Sequence, residues 1–148
     1  SCSRLRSFST FNVGSRIYSM ATKTECKSGK TPVVTVKNAG VAAVNGVFLA
    51  QNPLSIPKGF ASTCQKMFWE PKEMWEELSD QKRLWFEAEN GSYIYWNKSD
   101  GRWWIDGPSG AGVYIVADKG EFPPSDGWKA LQGSRKPLPT VEVGEKTV

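Results

Sequence analysis

The chain has 148 residues, enough for one domain with tails, and no run approaches the roughly 18 apolar residues that a membrane-spanning helix needs. It contains no histidine, and its three cysteines (Cys2, Cys26 and Cys64) lack Cys-x-x-Cys spacing. A four-ligand zinc site and any Ser-His-Asp or Cys-His catalytic set are therefore excluded, and a disulfide framework has no support. The net charge of +4 is unevenly placed: residues 1–31 carry six basic side chains and one acid, the remainder 13 basic and 14 acidic, so the folded part offers no nucleic-acid surface on charge grounds.

Residues 1–31 form a basic tail rich in Ser and Thr. Arg4-Leu5-Arg6-Ser7-Phe8-Ser9-Thr10-Phe11 resembles an organelle transit peptide, with no apolar run to make it a secretory signal. That reading places the protein in a mitochondrion or plastid. Met20-Ala21-Thr22-Lys23 looks like a native start, which would make residues 1–19 a leader and leave a cytoplasmic location open. A tail that threads into a larger assembly is the third reading. Unpaired cysteines fit a reducing compartment better than secretion.

A β-rich domain is expected over 32–132. Val33-Val34-Thr35-Val36 is a strand by its β-branched content, Asn38-Ala39-Gly40 turns it, and Asn45-Gly46 leads into a second strand, Val47-Phe48-Leu49-Ala50. Residues 51–66, with Pro53, Pro57 and Gly59, read as a loop. One short helix is predicted at about 71–79: Pro71 suits a first helical position, Met74, Trp75 and Leu78 share a face, and Glu73, Glu76 and Glu77 face outward. So short a helix needs docking to be stable.

Residues 84–118 hold four of the seven Trp residues, in aromatic and β-branched runs separated by Asn90-Gly91, Asp100-Gly101 and a Gly/Pro/Ser turn. This is an antiparallel meander, expected to form a twisted sheet or a partly closed barrel. Phe122-Pro123-Pro124-Ser125-Asp126-Gly127-Trp128 is a stiff turn that delivers Trp128 to one end of the sheet. Residues 133–148 are expected to be an extended tail, with Val141-Glu142-Val143 as the one segment able to add an edge strand.

Val34–Gly40, Val44-Asn45-Gly46-Val47-Phe48, Tyr93-Ile94-Tyr95-Trp96, Gly101-Arg102-Trp103-Trp104-Ile105, Tyr114 and Pro123–Trp128 together resemble a small β-rich module of eukaryotic proteins, especially of protists and algae. Its pattern runs VNG, then IxW, GRWxI and PPxxGW, and the resemblance covers about residues 33–131. It implies a fold and brings no catalytic residues. Asn38 stands where the module has Gly, Phe48 where it has Tyr, and the segment 51–83 is enlarged.

Chemistry is thinly represented. Glu87 and Glu89 sit at i and i+2 on one predicted strand, which more often marks a solvated face than a catalytic pair. Gly107-Pro108-Ser109-Gly110-Ala111-Gly112 does not match a phosphate-binding loop and opens no helix. Strand alternation gives two faces. Leu84, Phe86, Ile94, Trp96, Trp103, Ile105, Val113 and Ile115 form the expected core, while Trp85, Tyr93, Tyr95, Trp104 and Tyr114 crowd the other side. Either the 60–80 segment, with Phe68, Trp69 and Trp75, covers that second face, or part of it is an exposed binding surface. The expected function is non-catalytic: a protein-interaction module or small subunit of a larger assembly, with Trp85, Tyr93, Tyr95, Trp104 and Tyr114 as binding residues and no cofactor or metal. The alternative is a carbohydrate-binding module using the same face, and a carboxylate-based hydrolase using Glu87 or Asp106 is the remote one.

Overall fold

The structure, a computed structural model, describes residues 30–131 and 136–147. The transit, leader and assembly-arm expectations fall almost wholly on residues 1–29, outside the described ones. Pro32–Gly144 form one compact unit. Of a second unit, Ser1–Thr31 with Glu145–Val148, the described part is strand ends, with Lys30 Nζ 3.9 Å from the Glu145 carboxylate.

The strands are β1 (Lys30–Lys37), β2 (Gly46–Gln51), β3 (Trp85–Ala88), β4 (Tyr93–Asn97), β5 (Arg102–Asp106), β6 (Gly112–Ala117), β7 (Lys129–Ala130) and β8 (Thr140–Thr147). Two helices, α1 (Lys58–Lys66) and α2 (Pro71–Leu78), lie between β2 and β3. The fold is mainly β, as expected: the eight described strands are antiparallel and make one strongly curled half-barrel sheet, in the order β7-β6-β5-β4-β3-β2-β1-β8. The meander is legible in its turns. Gly91 and Gly101 take φ of 98° and 70°, which glycine adopts without strain. Asn38 takes φ 65°. Asn is among the few side chains that tolerate this region. Asn45 is a clamp rather than a turn residue: its amide accepts from Ala39 N–H at 2.9 Å and donates to Ala39 C=O at 3.0 Å.

The first face of the sheet carries the larger core, with Val34, Phe48, Phe86, Ile94, Trp103, Ile105 and Trp128 all buried. Trp128 closes it, its indole N–H donating to Pro124 C=O at 3.0 Å. Trp96 packs at its edge, between Asp118 C=O, which accepts its N–H at 2.8 Å, and the Arg83 guanidinium, 3.8 Å from its ring centroid. Arg83 also donates to the carbonyls of Lys119 and Gly120 and pairs with Asp80. It therefore pins the loop after β6 to the entry of β3. Burial opposes ionisation of Asp80, but the backbone N–H groups of Arg83 and Lys82 and the guanidinium hold its carboxyl below the usual range.

Three expectations are corrected. Residues 58–66 are helical, not loop. Pro57 precedes the first turn, and Phe60 and Cys64, one turn apart, bury a face that outweighs the weak helix formers Gly59, Ser62 and Thr63. Residues 140–147 are not a free tail but an edge strand beside β1, anchored by the buried Val141, whose N–H donates to Ser125 C=O at 3.0 Å. The phase of β6 is also shifted. The pairing runs Ile105↔Tyr114 and then Asp106↔Gly112, so a bulge puts both Val113 and Tyr114 on the first core. Tyr114 accepts the Val41 N–H at 3.1 Å there. Ile115 pairs with Trp104 on the opposite face and is not core.

Candidate functional site

The second face of the sheet is covered. Phe60 and Cys64 from α1 and Trp75 from α2 close over Trp85, Tyr93 and Tyr95, and this layer is a second buried cluster. Trp75 is its hub, with ring centroids 5.1 Å from Phe60, 5.4 Å from Tyr95 and 5.9 Å from Trp85, mostly edge to face. The indole N–H groups fix the loop before α1. Trp75 donates to Pro53 C=O at 3.0 Å, and Trp85 to the carbonyls of Asn52 and Ser55 at 2.9 and 3.1 Å. The glycines of the β5–β6 loop serve this layer. A Cβ on Gly110 would lie 2.2 Å from Thr63 Oγ1 and 2.4 Å from Gly59 C=O, and Gly110 has φ 92°. They let α1 lie directly on the loop, where Thr63 Oγ1 donates to Ser109 C=O at 3.0 Å.

The cover is incomplete where α1, α2 and β4–β6 meet. A pocket of about 180 Å³ opens there, walled by Phe60, Trp69, Met74, Tyr95 and Trp104, with Asp106 in its lining. Trp104 is held in place twice. Its N–H donates to Asp100 Oδ2 at 3.0 Å, and its ring lies so close to Gly112 that a Cβ there would be 2.7 Å from Cζ3. Asp106 is 5% exposed, and its Oδ1 has no hydrogen-bond partner. Burial pushes its carboxyl up to about 7, with the Tyr93 hydroxyl working in the opposite direction. Tyr93 is its cross-strand neighbour. The two groups are close enough to influence each other's protonation, yet Tyr93 Oη likewise makes no bond of good geometry. Burial and then the Asp106 charge raise the Tyr93 and Tyr95 phenols, and burial and then Glu70 raise the Cys64 thiol. All three stay neutral near pH 7.

The corner between α1 and α2 is the opposite environment. Met67, Phe68 and Trp69 are 52%, 96% and 48% exposed. The helix ends in a double cap. Phe68 N–H donates to Gln65 C=O at 3.2 Å and Trp69 N–H to Cys64 C=O at 2.8 Å, with Phe68 at φ 62°. Glycine is the usual residue in that position, because a Cβ costs about 1–2 kcal/mol there.

The five residues expected to bind do not form one surface. Trp85, Tyr93 and Tyr95 are buried beneath the helices, and Tyr114 belongs to the first core. Tyr95 and Trp104 line the pocket, and Trp104 is partly exposed. Of the 60–80 segment's aromatics, Phe60 and Trp75 cover the face, Trp69 is half exposed at the pocket wall, and Phe68 lies in water. Glu87 and Glu89 do not converge with Asp106: Glu87 stands two strands away from it, roughly 10 Å at ordinary strand spacing, and Glu89 is exposed. No group of three or more acidic, His or Cys side chains able to hold a metal occurs among the described residues. Sequence reasoning missed the exposed corner and the pocket. The one signal for the corner was the run Met67-Phe68-Trp69 itself, three large apolar residues between Lys66 and Glu70. Comparison with known proteins finds no matching family model, no matching curated sequence and no matching solved structure.

Proposed function

We propose that the protein is a non-catalytic interaction module, and that it docks a protein partner through the Met67-Phe68-Trp69 corner. The observation that carries this reading is Phe68. Its ring is almost fully in water, and its backbone holds a conformation that Gly would adopt at lower cost. Neither fact serves the stability of this chain. Large apolar side chains presented among charged ones, here Lys66, Glu70 and Lys72, mark docking surfaces. Rigid aromatic anchors are the residue type that dominates such contacts. The partner this surface fits is a protein with an apolar recess that accepts the two rings.

The test has two steps. A photo-crosslinking residue replaces Phe68 in one sample and the exposed Glu121 in another, in the native cells, and the adducts are identified. The adduct formed only from position 68 is then reconstituted with the wild-type chain, Phe68→Ala and Phe68→Gly. Both variants should bind roughly tenfold more weakly or worse. Identical adducts from both positions, or unchanged affinity in the variants, would overturn the reading.

A further inference from the structure

The pocket between α1, α2 and β4–β6 lies beside the docking corner but has a chemistry of its own. Its walls are aromatic and its lining contains one acid, Asp106, and no basic residue. The nearby ionisable groups are also acidic or neutral: Asp100 on the β4–β5 turn, Glu70 ahead of α2, Tyr93 and Tyr95 on β4 and Cys64 on α1. A buried carboxylate is ordinarily paired or fully hydrogen-bonded, because an unpaired one is costly. Among the described residues Asp106 has no ion-pair partner, and its Oδ1 makes no hydrogen bond of good geometry, with the Tyr93 hydroxyl as a polar neighbour.

We propose that this pocket binds a small organic cation, an alkylated ammonium group, held against the faces of Tyr95, Trp104, Phe60 and Trp69 with Asp106 as its counter-ion. Each part of the site answers a requirement of that ligand. In its fully alkylated, quaternary form such an ammonium has no N–H and spreads its charge over methyl and methylene groups, so it is recognised by aromatic faces rather than by hydrogen-bond acceptors. The volume, about 180 Å³, is below the roughly 300 Å³ at which drug-sized ligand sites begin, and suits a head group. Trp104 is a built wall rather than a chance neighbour, fixed by Asp100 on one side and by the missing Cβ of Gly112 on the other. The carboxyl supplies the charge, and the cation supplies the ion-pair partner that the described residues do not provide.

The same head group can arrive free or on a methylated lysine side chain, and the experiment separates the two. Full-length protein is titrated by calorimetry at pH 8 with choline chloride, with a short peptide bearing trimethyllysine, and with 3,3-dimethyl-1-butanol, the uncharged isostere of choline. The neutral isostere should bind roughly tenfold more weakly than choline, and Asp106→Asn should lose a similar factor for the cations but not for the isostere. Trp104→Leu should weaken both cationic ligands. Tighter binding of the peptide than of choline assigns the site to a side chain, and the reverse assigns it to a free small molecule. Binding should also strengthen from pH 5.5 to pH 8 as Asp106 ionises. Equal affinity for choline and its isostere, cation affinity unchanged in Asp106→Asn, or no saturable heat from either cation would overturn the proposal. Trp69 belongs to both surfaces, but choline reads the pocket and crosslinking from position 68 reads the corner, so either test can fail without the other.

Discussion

Phe68 sets stability against function at a single position. Replacing it with Gly keeps the helix cap and removes the left-handed penalty, so Phe68→Gly should raise unfolding stability by about 1 kcal/mol, read as a higher Tm. A fall in stability would mean that the ring packs on something in the folded chain. Asp106 makes the same kind of statement through pH. Its carboxyl is raised from 3.8 to about 7 by burial, so its contribution to stability is present below pH 4 and is lost as pH rises through 7. That corresponds to roughly 4 kcal/mol of penalty at pH 8. Asp106→Asn should therefore raise Tm at pH 8 and change it little at pH 4, by thermal melts at both values. An equal change at both would place the ionisation elsewhere. Phe68 was not legible as a site from sequence, and Asp106 only as a remote catalytic carboxylate. A Phe in a cap position looks like any apolar residue until the φ angle is known, and Asp106 reads as a strand-end acid until the helices lie over it.

At the scale of elements, α1 and α2 act as one cover, and their hold on the sheet is aromatic. Trp75→Ala should cost about 3–5 kcal/mol, the range for removing a buried Trp, and should free the 51–57 loop whose Pro53 carbonyl it holds. Gly110→Ala should destabilise by about 2 kcal/mol or more, because the new methyl meets both Thr63 and the α1 backbone at a strained φ. Denaturant melts check both, and a Gly110→Ala protein as stable as wild type would show that α1 does not sit on that loop. The elements differ in how far they could be read. The meander was legible because Asn-Gly and Asp-Gly turns and strand alternation are local signals, and α2 because Pro71 and a stripe of apolar residues announce it. Helix α1 was not, since Gly59, Ser62 and Thr63 are poor helix formers and only packing rescues them. Strand β8 was legible only as an option at Val141-Glu142-Val143, because its pairing with β1 is a tertiary event. The phase of β6 was lost to a one-residue bulge, which moves Tyr114 to the other face without any trace in composition.

At the scale of the molecule, one sheet serves two cores. The first face is closed by Val141 and Trp128, and the second by the helices, so β4 is buried on both sides and carries three aromatic residues among its five. This shifts the functional question away from the Tyr93/Tyr95 face and toward what protrudes from the cover and what gap it leaves. The account depends on the cover being a permanent layer and not a lid. Cys64, 2% exposed on the inner side of α1 where it lines the pocket, reports on that when the thiol reagent is too bulky to enter a space of about 180 Å³. With Cys2 and Cys26 changed to Ser, the rate of thiol labelling of Cys64 is measured across a denaturant series. The account predicts labelling slowed at least roughly a thousandfold relative to the unfolded chain, with a denaturant dependence equal to that of global unfolding. Labelling that is fast in native buffer, or that proceeds by a local opening insensitive to denaturant, would contradict it.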